Sequence, residues 1–207
     1  MDRLRVTKAT IDAVEMAYDM HSPEDEWFSR LLEISGPVFE RAVGVTIRLV
    51  DRAPLGASIR MGELYATSNL PPNWDEMAKA LFKFLPPGAL EVRTRPGTAH
   101  TYSELFRVYG GQVGLSGSYA DWSGLDLELI QKIVSVSQDT FIVAATDPQG
   151  PGFVLGALLT EPTSIDERDR DRWRMLGAHL ASGFRMRRGL SCEGQIVASG
   201  LPGHAEA

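Results

Sequence analysis

Residues 140–159 read TFIVAATDPQGPGFVLGALL, from Thr140 to Leu159. Two nearly unbroken apolar runs, Phe141–Thr146 and Phe153–Leu159, flank Asp147-Pro148-Gln149-Gly150. A D-P-x-G sequence makes a tight turn, and short runs rich in aromatic and aliphatic residues suit strands. A strand with one wet face alternates apolar with polar residues, so runs without alternation imply cover on both faces. The stretch is predicted to be two adjacent, buried antiparallel strands.

Upstream, Val45, Ile47 and Leu49 alternate with Thr46 and Arg48, the pattern of a half-buried strand. Ala53-Pro54-Leu55-Gly56 then turns the chain back into Ser58 to Tyr65, the expected partner strand. Ile11, Val14 and Tyr18 place a first helix over Ala9 to Met20. A second is predicted from Ser22 as cap and Pro23 at the first position, with Trp27, Phe28, Leu31 and Leu32 on its apolar face. Gly36-Pro37 stops it. Asn73 to Leu85 forms a third, ended by Pro86-Pro87-Gly88. Thr101-x-x-Glu104 is a capping box for a short helix closed by Gly110-Gly111. Gln112 to Gly124, rich in Gly and Ser, is expected as loop or lid, and Leu125 to Val136 fits either helix or strand.

Downstream, Ser164-x-x-Glu167 is a further capping box opening a helix to Leu190, with Trp173, Leu176, Leu180 and Phe184 inward. Strands that pair locally with helices clustered between them favour an α+β fold with an antiparallel sheet over a parallel βαβ sheet. One domain over residues 1–190 with one hydrophobic core is expected, followed by a flexible polar tail over 191–207.

The chain has 207 residues, a formal charge of −6 and a single cysteine, Cys192. The acidic balance argues against a protein that coats nucleic acid or an anionic membrane. One cysteine cannot form an internal disulfide, no signal peptide is visible, and the longest apolar stretch, Phe153 to Leu159, is far short of a bilayer span. A cytoplasmic protein without membrane contact is the expectation.

Few residues suggest reaction chemistry. His21, His100, His179 and His204 never approach metal-site spacing, so no metal is expected. Gly114-Leu115-Ser116-Gly117-Ser118 lacks the final Gly of a nucleophile elbow. Gly150 to Gly156 has one residue too many for a dinucleotide fingerprint and sits in a hairpin. No cofactor is called for. The final helix carries Arg168, Arg170, Arg172, Arg174, Arg185, Arg187 and Arg188, the first group interleaved with Asp166, Glu167, Asp169 and Asp171. That is the charge pattern of a solvated helix rather than of a nucleic-acid surface. Aromatic residues crowd the middle third beside the Gly-rich segment. Trp74, Phe84, His100, Tyr102, Tyr119 and Trp122 are the candidate lining of a small-molecule pocket. The alternative use of that pocket is acid–base catalysis by Glu104 with His100, four residues apart, although Thr101 as a cap argues against their meeting.

Three stretches carry a family resemblance. Residues 140–190 end in His179-Leu180 followed by Arg185, Arg187, Arg188 and Leu190, an H-L-x-x-x-x-R-x-R-R-x-L pattern behind the D-P-x-G turn. SPEDEWFSRLLEISGPVF (22–39) precedes GVTIRLV (44–50). Together they resemble the GAF- or PAS-like sensory region of bacterial LuxR-family helix-turn-helix regulators, particularly the long myxobacterial kind. The resemblance implies a GAF/PAS-like sheet closed by a long helix and a sensory role in transcriptional control. A bound small ligand, a homodimer, or both would follow. Members continue into a tetrahelical DNA-binding domain that these residues do not contain, so direct DNA contact is not expected of this chain. Neither the N-K-x-F-x-x-x-D-E signature of cyclic-nucleotide GAF domains nor a bilin-attaching cysteine in the sheet is present, which leaves the ligand class open. Enzymatic activity is not expected.

Overall fold

The computed structural model describes residues 8–39, 42–52, 59–83, 87–113, 127–148 and 150–199. Five antiparallel strands form one sheet in the order β2-β1-β5-β4-β3. They are β1 (Ala42–Arg52), β2 (Ile59–Ala66), β3 (Ala99–Thr101), β4 (Asp139–Ala145) and β5 (Pro151–Leu159). The helices are α1 (Lys8–Ala17), α2 (Glu24–Ser35), α3 (Trp74–Lys83), α4 (Pro87–Thr94), α5 (Tyr102–Val113), α6 (Leu127–Val136) and α7 (Glu167–Ser199). The α+β architecture expected from the element order is the one observed.

The hairpin anchors the sheet. Phe141 pairs with Ala157, Val143 with Leu155 and Ala145 with Phe153, and β5 then pairs along its other edge with β1, Ile47 opposite Leu155. Every residue of β4 and all but Pro151 of β5 are buried. Continuous apolarity had that meaning: helices cover both faces.

A single core was expected; the sheet instead separates two. On one face Val45, Ile47, Phe141, Val143, Phe153 and Leu155 meet Trp27, Phe28 and Leu31 of α2, Met16 of α1, and Trp173, Leu176, Leu180 and Phe184 of α7. Trp173 stacks on Phe39 (ring centroids 5.0 Å apart, planes at 12°) and stands edge-on to Phe141 at 5.1 Å. On the other face Val50, Ile142, Val154 and Leu158 lie beneath Trp74 and Met77 of α3, Ala89 of α4, Tyr102 and Leu105 of α5, and Ile133 of α6.

Helix α7 lies close against its neighbours because two of its residues lack a side chain. A Cβ on Gly177 would stand 2.8 Å from the Ala144 carbonyl oxygen, and one on Gly183 would overlap the Ala17 carbonyl oxygen. At its 33 residues α7 is about 50 Å long. It continues to Ser199, past Leu190, where a polar tail was expected to begin.

Several local expectations are corrected. Ser22 does not cap α2: Pro23 occupies the cap position, and the Ser22 hydroxyl donates to Asp19 Oδ2 at 2.6 Å. Ser164 does not cap α7 either. Asp166 stands nearer the first turn and accepts the Asp169 N–H at 2.9 Å, a carboxylate where the helix end exposes free N–H groups. Pro86-Pro87-Gly88 was read only as a stop, yet Pro87 begins α4, since a first helical position has no N–H to lose. Helix α5 runs through Gly110-Gly111 to Val113. The ambiguous stretch before β4 is helical, as α6. The Ala53–Gly56 turn and the Gly-rich segment 114–126 lie outside the described residues.

Candidate functional site

The face beneath α3–α6 concentrates polar chemistry inside a core. Residues two apart on a strand share a face, so Thr46 and Arg48 on β1, Val154 and Gly156 on β5, and Thr140, Ile142 and Ala144 on β4 form one surface. The register confirms it: Thr46 lies opposite Gly156, which lies opposite Ile142, and Arg48 lies opposite Val154. In the row Thr46–Gly156–Ile142 the middle position carries no side chain, and a Cβ on Gly156 would come within 2.8 Å of Thr46 Oγ1.

Two guanidinium groups border the floor. Arg48 is only 1 % exposed. Its Nη1 donates to the Gly62 carbonyl at 2.9 Å and its Nη2 to Asp75 Oδ1 at 2.6 Å, joining β1 to β2 and to the first turn of α3. Burial raises the Asp75 carboxyl, but the hydrogen bonds from Lys79 and Arg48 outweigh it and leave the group below its usual range. Arg93 of α4 is 5 % exposed and stands over the Tyr102 ring, 5.4 Å from its centroid. Burial pushes the Tyr102 hydroxyl up against the pull of the Arg93 and Arg48 charges. Ionised side chains are rarely enclosed in a core without a purpose, because taking them out of water costs several kcal/mol.

Of the six predicted site residues, Trp74 and Tyr102 both belong to this layer and are buried. His100 opens onto its edge: it lies on β3 opposite Ile142 and is 30 % exposed. Phe84, Tyr119 and Trp122 lie outside the described residues. Sequence reasoning missed Arg48 and Arg93. Arg48 occupies a polar position of an alternating strand, where it reads as a solvent-facing residue; only the cover supplied by α3 and its neighbours encloses it.

His100 and Glu104, the candidate acid–base pair, do meet, at 3.5 Å between Nδ1 and Oε2 despite the Thr101 cap. They are not poised for proton transfer. The capping box forms as predicted: Glu104 N–H donates to Thr101 Oγ1 at 3.2 Å and Thr101 N–H to Glu104 Oε2 at 3.1 Å. Arg170 of α7 adds a two-pronged bond, Nη1 to Oε2 and Nη2 to Oε1, both 3.0 Å, and Ile165 N–H donates to Oε1 at 3.2 Å. Burial raises the Glu104 carboxyl, but its surroundings in His100, Arg170 and the Thr101 and Ile165 N–H groups overcome that and hold it far below the usual carboxylate range. Arg170 Nη1 lies 2.7 Å from His100 Nδ1. The cluster is a joint, not a proton relay.

That joint makes stability pH-dependent. A carboxyl depressed in the folded state stabilises above its unfolded pKa, near 4.5, and the contribution is lost as pH falls below that. Asp19, held by Ser22 and the His21 N–H, acts in the same direction, whereas burial raises Asp139 and opposes it. Urea midpoints measured between about pH 6 and pH 3 are expected to fall for the native chain and to fall less steeply for Glu104→Gln. Equal slopes would remove Glu104 from this account.

Several of the final-helix arginines are engaged within the chain: Arg172 with Asp169, Arg174 with Glu167 and Asp171, and Arg185 with Asp147. Arg187 donates to the carbonyls of Asp19 and Ser22 and stands over Trp27. Among the described residues no cluster of His, Cys, Asp and Glu is placed to hold a metal, and no helix is long and apolar enough to cross a membrane.

A separate groove of about 510 Å³ lies on the other side of the molecule, between α1 and α7, lined by Thr10, Ile11, Val14, Arg172, Met175, Leu176 and His179. It contains none of the predicted site residues.

Neither a protein-family profile nor a curated protein matches the chain. Solved structures similar to it include an N-acylhomoserine lactone-dependent transcription factor of the LuxR family from Burkholderia cenocepacia. The two are 14 % identical, the alignment covers 86 % of this chain and 93 % of that one, and the TM-score is 0.46. A similarity of that size assigns no function.

Proposed function

We propose that the chain is a regulatory sensory domain, residues 1–190 forming one unit, which holds a small organic ligand between the sheet and α3–α6. The observation that carries this reading is the enclosure of Arg48, Arg93 and Tyr102 in the layer of Trp74, Met77 and Leu105, over a floor in which Thr46, Thr140, Ala144 and Gly156 accompany Ile142 and Val154. A few polar groups placed in an apolar, covered layer give a ligand its orientation, and pure packing does not call for them. A role in transcriptional control is what the LuxR-type resemblance adds. The fully engaged Glu104 speaks against acid–base catalysis, so a non-enzymatic role is preferred.

Native and denaturing mass spectrometry on untagged protein from its own host tests the proposal. A stoichiometric extra mass that vanishes on denaturation is expected in the native chain and is expected to be lost in Arg93→Met. A folded native chain that carries no extra mass and gains none from host metabolite extract would overturn it.

Self-association through α7 belongs to the same proposal. Met175, Met186 and Leu190 fall on one side of the helix and are 59, 53 and 54 % exposed, with Ile11 of α1 exposed beside the groove. Exposed apolar residues aligned in this way mark an interaction surface. Light scattering at high micromolar concentration is expected to give a dimer, converted to monomer by Met186→Lys with Leu190→Lys; a monomeric native chain sinks this part.

A further inference from the structure

We propose that the Glu104–Arg170 pair is the link through which the state of α5, on the ligand side of the sheet, sets the position of α7 on the opposite side. The inference rests on the reading above of which face takes the ligand. Helices α5 and α7 belong to different layers, separated by the sheet. They approach each other around β3, its three-residue edge strand, and there the polar contacts converge.

Arg170 sits in the first turn of α7. Besides its paired bonds to Glu104 it donates from Nη1 to the Ala99 carbonyl of β3 at 2.7 Å and from Nη2 to the Ile165 carbonyl at 3.1 Å. Glu104 has two duties at once. It closes the capping box of α5 and it receives the guanidinium and the Ile165 N–H from the approach to α7. Movement of α5 along its axis must therefore open its own cap or carry the start of α7 with it. The two side chains are 15 % and 10 % exposed, so water is poorly placed to replace either partner. A planar guanidinium bonded at two points also resists rotation in a way a single point charge would not.

A second buried carboxylate repeats the arrangement. Asp139, at the start of β4, accepts N–H bonds from Ser103 of α5 (3.1 Å), from Thr140 (2.8 Å) and from Thr163 in the segment leading to α7 (3.1 Å). Two carboxylates thus tie the beginning of α5 to the beginning of α7. Further along the helix α7 is held by Arg187, whose guanidinium grips the carbonyls of Asp19 and Ser22 between α1 and α2. Coupling of this kind needs an element both layers bias, and the α5–α7 joint is that element.

Hydrogen exchange on the full chain tests the link with no ligand present. Leu105→Ala loosens α5 from the ligand side. In the native background it is expected to speed amide exchange over residues 167–177 of α7 by on the order of fivefold, the scale of coupled neighbouring elements. Central β5 amides, which report global unfolding, are expected to change less. In a Glu104→Gln background the same Leu105→Ala change is expected to leave α7 unaltered. Should Glu104→Gln fail to fold by circular dichroism, Arg170→Lys, which keeps the charge without the two-point geometry, provides the comparison. An α7 response of equal size with and without the pair, one matched by β5, or none in either background overturns the proposal. Failure of the mass-spectrometric test would remove the ligand and leave this link standing; failure here would leave the ligand and remove its route to α7.

Discussion

Arg170→Ala is expected to lower stability by about 3 kcal/mol, the lower end for breaking a largely buried pair. In a domain of this size that corresponds to a fall in Tm of about 6–12 °C. The loss comes chiefly from Glu104. With Arg170 gone its carboxylate keeps the Thr101 and Ile165 N–H groups but loses both guanidinium bonds while remaining 15 % exposed. Arg170→Lys retains a charge and one bond, and about 1 kcal/mol is expected there. Differential scanning calorimetry of the three proteins makes the comparison. Similar Tm values for Ala and Lys would mean that the two-point geometry, rather than the charge, matters.

Trp173→Ala should do at least as much damage, about 3–5 kcal/mol, because it empties the space between Phe39 and Phe141 at the centre of the α7-side core. Trp173→Phe is a more informative change. The indole Nε1 is buried and makes no hydrogen bond among the described residues. Its removal relieves a donor whose burial costs about 1–3 kcal/mol, which offsets part of the lost packing. The Phe variant is therefore expected to cost under about 2 kcal/mol. Chemical denaturation with an unchanged m-value is the measurement, and a Phe variant as unstable as the Ala one would show that the indole is satisfied in solution.

What could be read from sequence was what local patterns determine. The β4–β5 hairpin was legible because its turn chemistry and unbroken apolar runs agree, and the Thr101–Glu104 cap because a capping box is a matter of four consecutive residues. Strand β3 was not: Ala99, His100 and Thr101 are too few to show a period, and they become a strand only by pairing with β4. Ser22 and Ser164 are reasonable caps by type, but Asp19 engages the Ser22 hydroxyl, and Asp166 stands close enough to take the N–H at the start of α7. Of the site, Trp74 and Tyr102 were visible as aromatics, whereas Arg48 depends on which strand faces are covered, and that is decided by helices far away in sequence. Nor does any pattern join Glu104 to Arg170. The edge of the sheet brings them together.

The pairing of β1 with β5 reaches further than any of these. Thr46 meets Gly156 across an intervening sequence of more than a hundred residues, and this ladder forms the middle of the sheet. During synthesis β1 and β2 leave the ribosome long before the strand that completes them exists. Loop closure of that length delays the decisive contact, which places folding among the slower, non-local topologies. Until β5 arrives, the N-terminal hairpin has an open edge beside β1, so the newly made chain is most vulnerable to intermolecular strand pairing before its last third has been translated.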